Sequence, residues 1–371
     1  MEQPLGIASG RIYLYHLFTI ADLVDLARLR QELGVETSVS RFTSRRPSPQ
    51  YIQFRNPPVT FSLGKRPLHP TPDQTVEAHV GAKVFDFGVL SLRWEIAFPA
   101  TWDALVKGAG CFIDNEALEF MSRQLLEELR PRLRAALTNP PKEVLFEDYT
   151  IFYVHEFALP LSAQELLDRE AASLAQLMRG EGKPLSNAEQ QEALRSRVSY
   201  FEDDLAVIDW NAAFIYDREN GTEHMDTLEF ANAELLELRF YDRLLDEQLD
   251  TIYQGIERGQ ALPAWRSWLH NDPVKTLQRL MALTVDVIEL TEQIENSLKF
   301  IGDLYSARVY RAIAERLRLQ EWESSIDGKI RIAQQIYEML ADEVNHRRAL
   351  ALEVIVILLI AFEVIWALTK H

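Results

Sequence analysis

The sequence has one cysteine, Cys111, among 371 residues. A single thiol excludes an intrachain disulfide and any Cys-rich zinc or iron–sulfur centre. Basic residues are also short: 39 Lys and Arg against 56 Asp and Glu leave a formal net charge of −17. Proteins that grip phosphate backbones neutralise them with Lys and Arg, so this balance excludes general nucleic-acid binding. No catalytic signature is present. HEF at 155–157 is not HExxH, and KGAG at 107–110 falls short of a phosphate-binding GxxxxGK[ST] loop. The start of the chain lacks a secretory signal, because Pro4, Gly6 and Ser9 interrupt it and Asp22 and Asp25 follow. It also lacks the Arg-rich character of an organelle presequence, so the body is expected in the cytoplasm of a prokaryote.

What is present suffices for two or three folded units, with 47% hydrophobic residues and a mean hydropathy of −0.15. Residues 11–18 (RIYLYHLF) read as a strand, and Leu23, Leu26, Leu29 and Leu33 have helical spacing up to Gly34. Residues 37–72 differ, with seven prolines, six basic residues and no acid. Proline denies them helix and central strand, so a basic Pro-rich loop is expected. Its Arg41, Arg45, Arg46, Arg55, Lys65 and Arg66 are candidates for contact with an anionic surface.

Two strands then flank Gly88, and Thr101 caps a short helix. A helix over 114–137 carries Pro131, 143–157 is strand, and Ser162 with Glu165 has capping-box spacing before a helix. Two short strands fill 197–217. RIYLYH at 11–16 resembles TIFYVH at 150–155, which suggests a duplicated ferredoxin-like unit. From 223 the chain is helical. Apolar residues at three–four spacing over 277–305, and again over 326–344, predict a coiled-coil-like antiparallel hairpin broken near Ser324–Gly328.

Residues 349–368 (ALALEVIVILLIAFEVIWAL) hold thirteen Leu, Ile, Val and Phe. Twenty helical residues span about 30 Å, the hydrocarbon thickness of a bilayer. Each carboxylate, Glu353 or Glu363, costs up to about 3 kcal/mol there. Arg347 and Arg348 precede the run and Trp366 suits its far interface. The expected architecture is therefore α+β: a duplicated α/β domain over 1–220, a helical hairpin over 221–348, and a transmembrane helix over 349–368. Such a chain is a tail-anchored, single-pass membrane protein with a cytoplasmic body. Its expected partners are membrane lipid, further copies of itself and an unidentified protein.

The C-terminal residues HRRALALEVIVILLIAFEVIWAL, the preceding EWESSIDGKIRIAQQIYEMLADEVNHRR and the segment VFDFGVLSLRW resemble the required-for-meiotic-nuclear-division family, a domain of unknown function. The resemblance spans roughly 75–371 and is most specific at the C-terminus. It implies an α/β domain, a helical hairpin, a terminal membrane segment and homo-oligomers. It implies no catalytic residues.

The functional expectation is a homo-oligomerising, membrane-anchored scaffold or assembly protein without catalysis or cofactor. Two rivals remain. One is a metal-dependent hydrolase built on Glu202, Asp203, Asp204 and Asp209, whose carboxylates suit a hard cation. The other is a soluble oligomer with the apolar C-terminal helix buried inside. His16 and His155 occupy matching places in the proposed repeat, and Cys111 has no local base, so these read as structural.

Overall fold

The computed structural model describes residues 5–34, 38–39, 56–98, 100–219, 223–260, 281, 282, 285, 288 and 304–369. The chain divides into two units. The first holds residues up to Phe240 together with Glu292–Trp322, and the second holds Tyr241–Thr291 and Glu323–His371.

Unit 1 is built on a nine-stranded mixed sheet. The strands are β1 (Ile7–Thr19), β3 (Ser38–Val39), β4 (Val59–Thr71), β5 (Gln74–Val84), β6 (Val89–Ala97), β8 (Phe146–Phe157), β9 (Arg197–Val198), β10 (Asp204–Ile208) and β11 (Ala212–Asp217). Their order is β3-β4-β5-β6-β1-β8-β11-β10-β9. A separate two-stranded ladder joins β2 (Leu23–Val24) to β7 (Leu137–Thr138). Five helices accompany the strands: α1 (Leu26–Leu33), α2 (Trp102–Gly108), α3 (Glu116–Leu133), α4 (Ala163–Arg179) and α5 (Asn187–Ala193). Their apolar faces share one core with Ile12, Leu14, Leu92, Phe152 and Phe214, the residues on one face of the central strands.

The local signals in the sequence hold. Asp25, Thr101 and Ser162 cap α1, α2 and α4, and Ser162 and Glu165 form a complete capping box. Gly34 ends α1 at φ +83°. Gly88 turns β5 into β6 at φ +89°, and a Cβ there would lie 1.9 Å from the Ala21 carbonyl oxygen. Only glycine fits that turn.

The expected duplication does not hold. β6 runs antiparallel to β1, whereas β11 runs parallel to β8. Parallel pairing needs a crossover, which α4, α5 and β10 supply. The two halves are therefore different constructions within one sheet. The basic Pro-rich loop is also corrected in part, because 59–71 is a strand of thirteen residues. Pro67 and Pro70 are tolerated there because, among the described residues, β3 pairs only with Val59 and Thr60 and the rest of β4 is an edge.

Three further helices have described bounds: α6 (Glu223–Gln260), α7 (Leu304–Arg316) and α8 (Leu319–Thr369). The first part of α6 and all of α7 belong to unit 1. The break expected near Ser324–Gly328 falls earlier, where Arg318 takes a left-handed φ of +56°. Gly328 lies within continuous helix. In unit 2, Lys329 lies 2.7 Å from both Asp242 and Asp246, and Ser325 donates to Asp242 at 2.8 Å. Leu245, Leu249, Ile326, Ile330, Ala333 and Ile336 are buried around them. These contacts run α6 and α8 in the same direction. Most of the residues expected to form the antiparallel partner lie outside the described ones.

The expected transmembrane helix is overturned. Among the described residues, no helix is long and apolar enough to cross a membrane. Within α8 the longest stretch without charge, 354–362 between Glu353 and Glu363, has nine residues. At about 1.5 Å per residue it reaches about 14 Å, half the hydrocarbon thickness. The tail anchor and the single-pass membrane location fall with it.

Candidate functional site

The acids proposed as metal ligands do not converge. Asp209 follows β10 and is completely buried. It is held by two arginines from the ends of helices. Arg316 of α7 donates to Asp209 Oδ1 through Nε at 2.8 Å, and Arg179 of α4 places Nη1 2.9 Å from Oδ2. Glu192 and Glu189 of α5 complete the group, at 2.6 Å from Arg316 and 2.8 Å from Arg179. Asp204 instead accepts the Tyr200 backbone N–H at 2.6 Å, Asp203 lies 3.6 Å from Arg218, and Glu202 is exposed. Among the described residues, no three His, Cys, Asp or Glu side chains could hold a metal ion. Asp209 closes an ion-pair network that ties α4, α5 and α7 to the sheet.

The histidines are separate as well. His16 Nδ1 lies 2.5 Å from Ser122 Oγ, and Trp94 Nε1 donates to the same hydroxyl at 2.8 Å. The indole is a donor only, and the serine hydroxyl, with one hydrogen and two lone pairs, accepts it and still has both a hydrogen and a lone pair for His16 Nδ1. Burial lowers the His16 pKa to about 3. The pair has the look of a nucleophile and its base, yet Ser122 is fully buried and also accepts the Trp94 indole N–H. His155 instead donates to the Asp217 carbonyl at 3.1 Å. Cys111 is half-buried.

Two polar groups escaped the sequence reading. The first lies on the sheet face opposite the helical core. Lys83 alternates with the core residues Ala82 and Val84 and so points to this face. Its Nζ meets Asp226 of α6 at 2.9 Å and also bonds Glu229. Burial opposes the ammonium charge, but the two carboxylates outweigh it and raise the Lys83 pKa. Tyr15, also on this face, is held well above its ordinary value by burial. Asp226 and Glu229 stand three apart on one helix face, a visible spacing. Nothing local pairs them with a lysine 143 residues earlier.

The second group lies around the start of β8. Glu147 bonds Arg239 of α6, and its pKa is pushed up to about 7 by burial and by Asp148 against the pull of that arginine. Asp148, on the other face, is pushed up to about 6 by burial and by the nearby Asp114 charge. Asn211 donates to Asp114 Oδ2 at 3.1 Å. Farther along α6, Glu237 is 1% exposed, and among the described residues neither of its oxygens has a hydrogen-bond partner. Burial, then Asp86 and Glu234, hold its carboxyl well above the usual range.

The anionic-surface candidates are only partly described. Arg41, Arg45, Arg46 and Arg55 lie outside the described residues. Lys65 and Arg66 are engaged within the fold, by Glu77 at 2.6 Å and Glu128 at 3.4 Å.

The C-terminal part of α8 is of another kind. From Leu350 to Trp366 its large apolar side chains are each between 48% and 64% exposed wherever described. Trp366 stacks on Phe362 at 6.2 Å, and Glu353 is exposed. The side chains of Arg347, Arg348 and Glu363 lie outside the described ones. Seven consecutive exposed apolar residues, Val354–Ile360, go round the whole helix, since successive residues are about 100° apart.

Residues 9–223 match the model of a family described as the N-terminal domain of the uncharacterised protein MJ0711. The match runs from β1 to the first residue of α6. The chain is similar to protein MJ0711 of Methanocaldococcus jannaschii, which carries the same uncharacterised description. The two are 27% identical over 248 residues, covering 67% of this chain and 74% of the relative. No solved structure matches the chain.

Proposed function

We propose, for a chain that belongs to the family of the MJ0711 N-terminal domain, that it is a homo-oligomerising scaffold assembled through the apolar end of α8. One observation carries this reading: a helix end exposed and apolar on every side. Monomeric proteins rarely show contiguous apolar patches beyond a few hundred square ångströms. A helix apolar all round is stable in water only when surrounded. One partner helix covers one side. Further copies of the same chain bring the same helix in equal number and cover the rest. The α/β unit supports a non-catalytic role, because Asp209, Lys83 and Ser122 are all engaged in holding the fold together. The resemblance of the C-terminal residues to the required-for-meiotic-nuclear-division family agrees with this reading, and we extend the family assignment to it.

Sedimentation equilibrium of the full chain, without detergent, tests the proposal. At tens of micromolar we expect a discrete oligomer. Leu358→Lys with Ile360→Lys weakens the assembly at least tenfold and leaves the circular dichroism of the α/β unit intact. A monomeric wild-type chain, or an oligomer indifferent to both lysines, overturns it.

A further inference from the structure

Arg93 of β6 alternates with the core residues Leu92 and Trp94, so it points to the sheet face that carries Lys83 and Tyr15. In the sheet it is level with Gly81 of β5 on one side and Tyr15 of β1 on the other. Facing positions of an antiparallel pair have Cβ atoms about 5 Å apart, so the three positions share one neighbourhood. Arg93 is half-buried, yet among the described residues it makes no hydrogen bond and no ion pair. Its guanidinium lies over the Tyr13 ring, 5.8 Å from the ring centre. Glu229 and Asp226 act on it only through space. Lys83 holds both of those carboxylates, Asp226 at 2.9 Å, and so keeps them off Arg93. Tyr15 is 1% exposed, and among the described residues its hydroxyl has no hydrogen-bond partner either. Neither that hydroxyl nor any Arg93 nitrogen is sealed from solvent. Gly81 leaves room beside them, because a Cβ there would meet a single atom, the Phe61 carbonyl oxygen, at 4.0 Å. A half-buried guanidinium and a buried phenol, both unbonded and both reachable, are donors short of an acceptor.

We infer that Arg93, the Tyr15 hydroxyl and the open position at Gly81 form a binding site for the carboxylate group of a small organic anion. A guanidinium meets a carboxylate through two parallel N–H···O bonds. The Tyr15 hydroxyl donates to the same group, and the space over Gly81 receives the organic part. Charge selects a carboxylate over a phosphate. Lys83 and Arg93 balance Asp226 and Glu229, so this neutral cluster accepts one added negative charge at less cost than two. The site lies in the α/β unit and stands apart from assembly through α8.

Isothermal titration of the full chain with benzoate, and separately with inorganic phosphate, tests the site. Benzoate is expected to fill one site per chain with a Kd below about 10 mM, which a modest ligand efficiency gives a molecule of its size. It is expected to bind more tightly than phosphate. Gly81→Val fills the open position, keeps every charge and suits a strand. It is expected to weaken benzoate binding at least tenfold and leave the circular dichroism unchanged. Arg93→Gln weakens binding likewise, and the Gly81 variant reports on the site even if the Arg93 variant fails to fold. Lys65→Gln, which removes an exposed lysine paired with Glu77, leaves binding unchanged. Absence of saturable benzoate binding overturns the proposal. So does binding equally tight in the Gly81 variant, which marks attachment elsewhere. Phosphate bound more tightly than benzoate overturns the choice of a carboxylate.

Discussion

His16 shows how far a single buried side chain commits the fold to a protonation state. Its ordinary pKa of 6.5 falls to about 3 in the folded unit because burial disfavours the imidazolium. Below pH 6.5 the unfolded chain takes up a proton that the folded chain refuses, so this residue's support for the fold is lost as pH falls from 6.5 toward 3. At about 1.4 kcal/mol per unit, the loss by pH 4.5 is about 2–3 kcal/mol. Urea unfolding at pH 7 and pH 4.5 measures it: the wild-type chain loses that much more stability than His16→Gln over the interval. Equal losses in the two chains contradict the burial argument. Glu147 works in the opposite sense. Its carboxyl is raised to about 7, so its contribution is present below the ordinary carboxyl range and is lost as pH rises through 7. Asp209 illustrates why residue roles were hard to read. Among Glu202, Asp203 and Asp204 it is one more acid, yet the fold alone encloses it between Arg179 and Arg316. Those partners lie 30 residues before it and 107 after it, and no spacing rule connects them.

At the scale of elements, most of the strands and helices of the α/β unit were legible because their signals are local. Caps at Asp25, Thr101 and Ser162, the stop at Gly34 and the turn at Gly88 each depend on a few neighbouring residues. The duplication failed because strand direction in a sheet is set by pairing between distant segments, and RIYLYH and TIFYVH carry no sign of it. Prolines at 67 and 70 suggested a loop because the sequence does not show that β4 there pairs on one side only among the described residues. The docking of α6 was equally hidden, since it rests on the Lys83 bonds to Asp226 and Glu229. That attachment is testable. Lys83→Met removes one partner and leaves the buried Glu229 and the partly buried Asp226 facing an apolar chain, at a cost of about 3–5 kcal/mol. The double variant Lys83→Met with Glu229→Gln recovers part of it. Thermal unfolding of both measures the difference, and a double variant no more stable than the single one contradicts the charge argument.

For the whole molecule, a net charge of −17 stands against an apolar helix end that seeks company. Acidic bodies brought together by α8 repel one another, and salt screens that repulsion. Association is therefore expected to tighten severalfold as salt rises from about 20 mM to about 300 mM, where the Debye length falls below about 10 Å. Sedimentation velocity across that range checks it. Loosening with salt instead points to assembly by charge pairing. The edges of the sheet decide what kind of object results. β3 and β9 have two residues each, and the exposed length of β4 carries two prolines. Such edges offer an incoming strand almost no ladder to extend. Among the described residues, these edges thus give copies of this chain little template for end-to-end growth through their sheets. In the proposed assembly the α8 helices pack around a common axis and close on themselves, so accumulation of the protein is expected to yield more particles of fixed size.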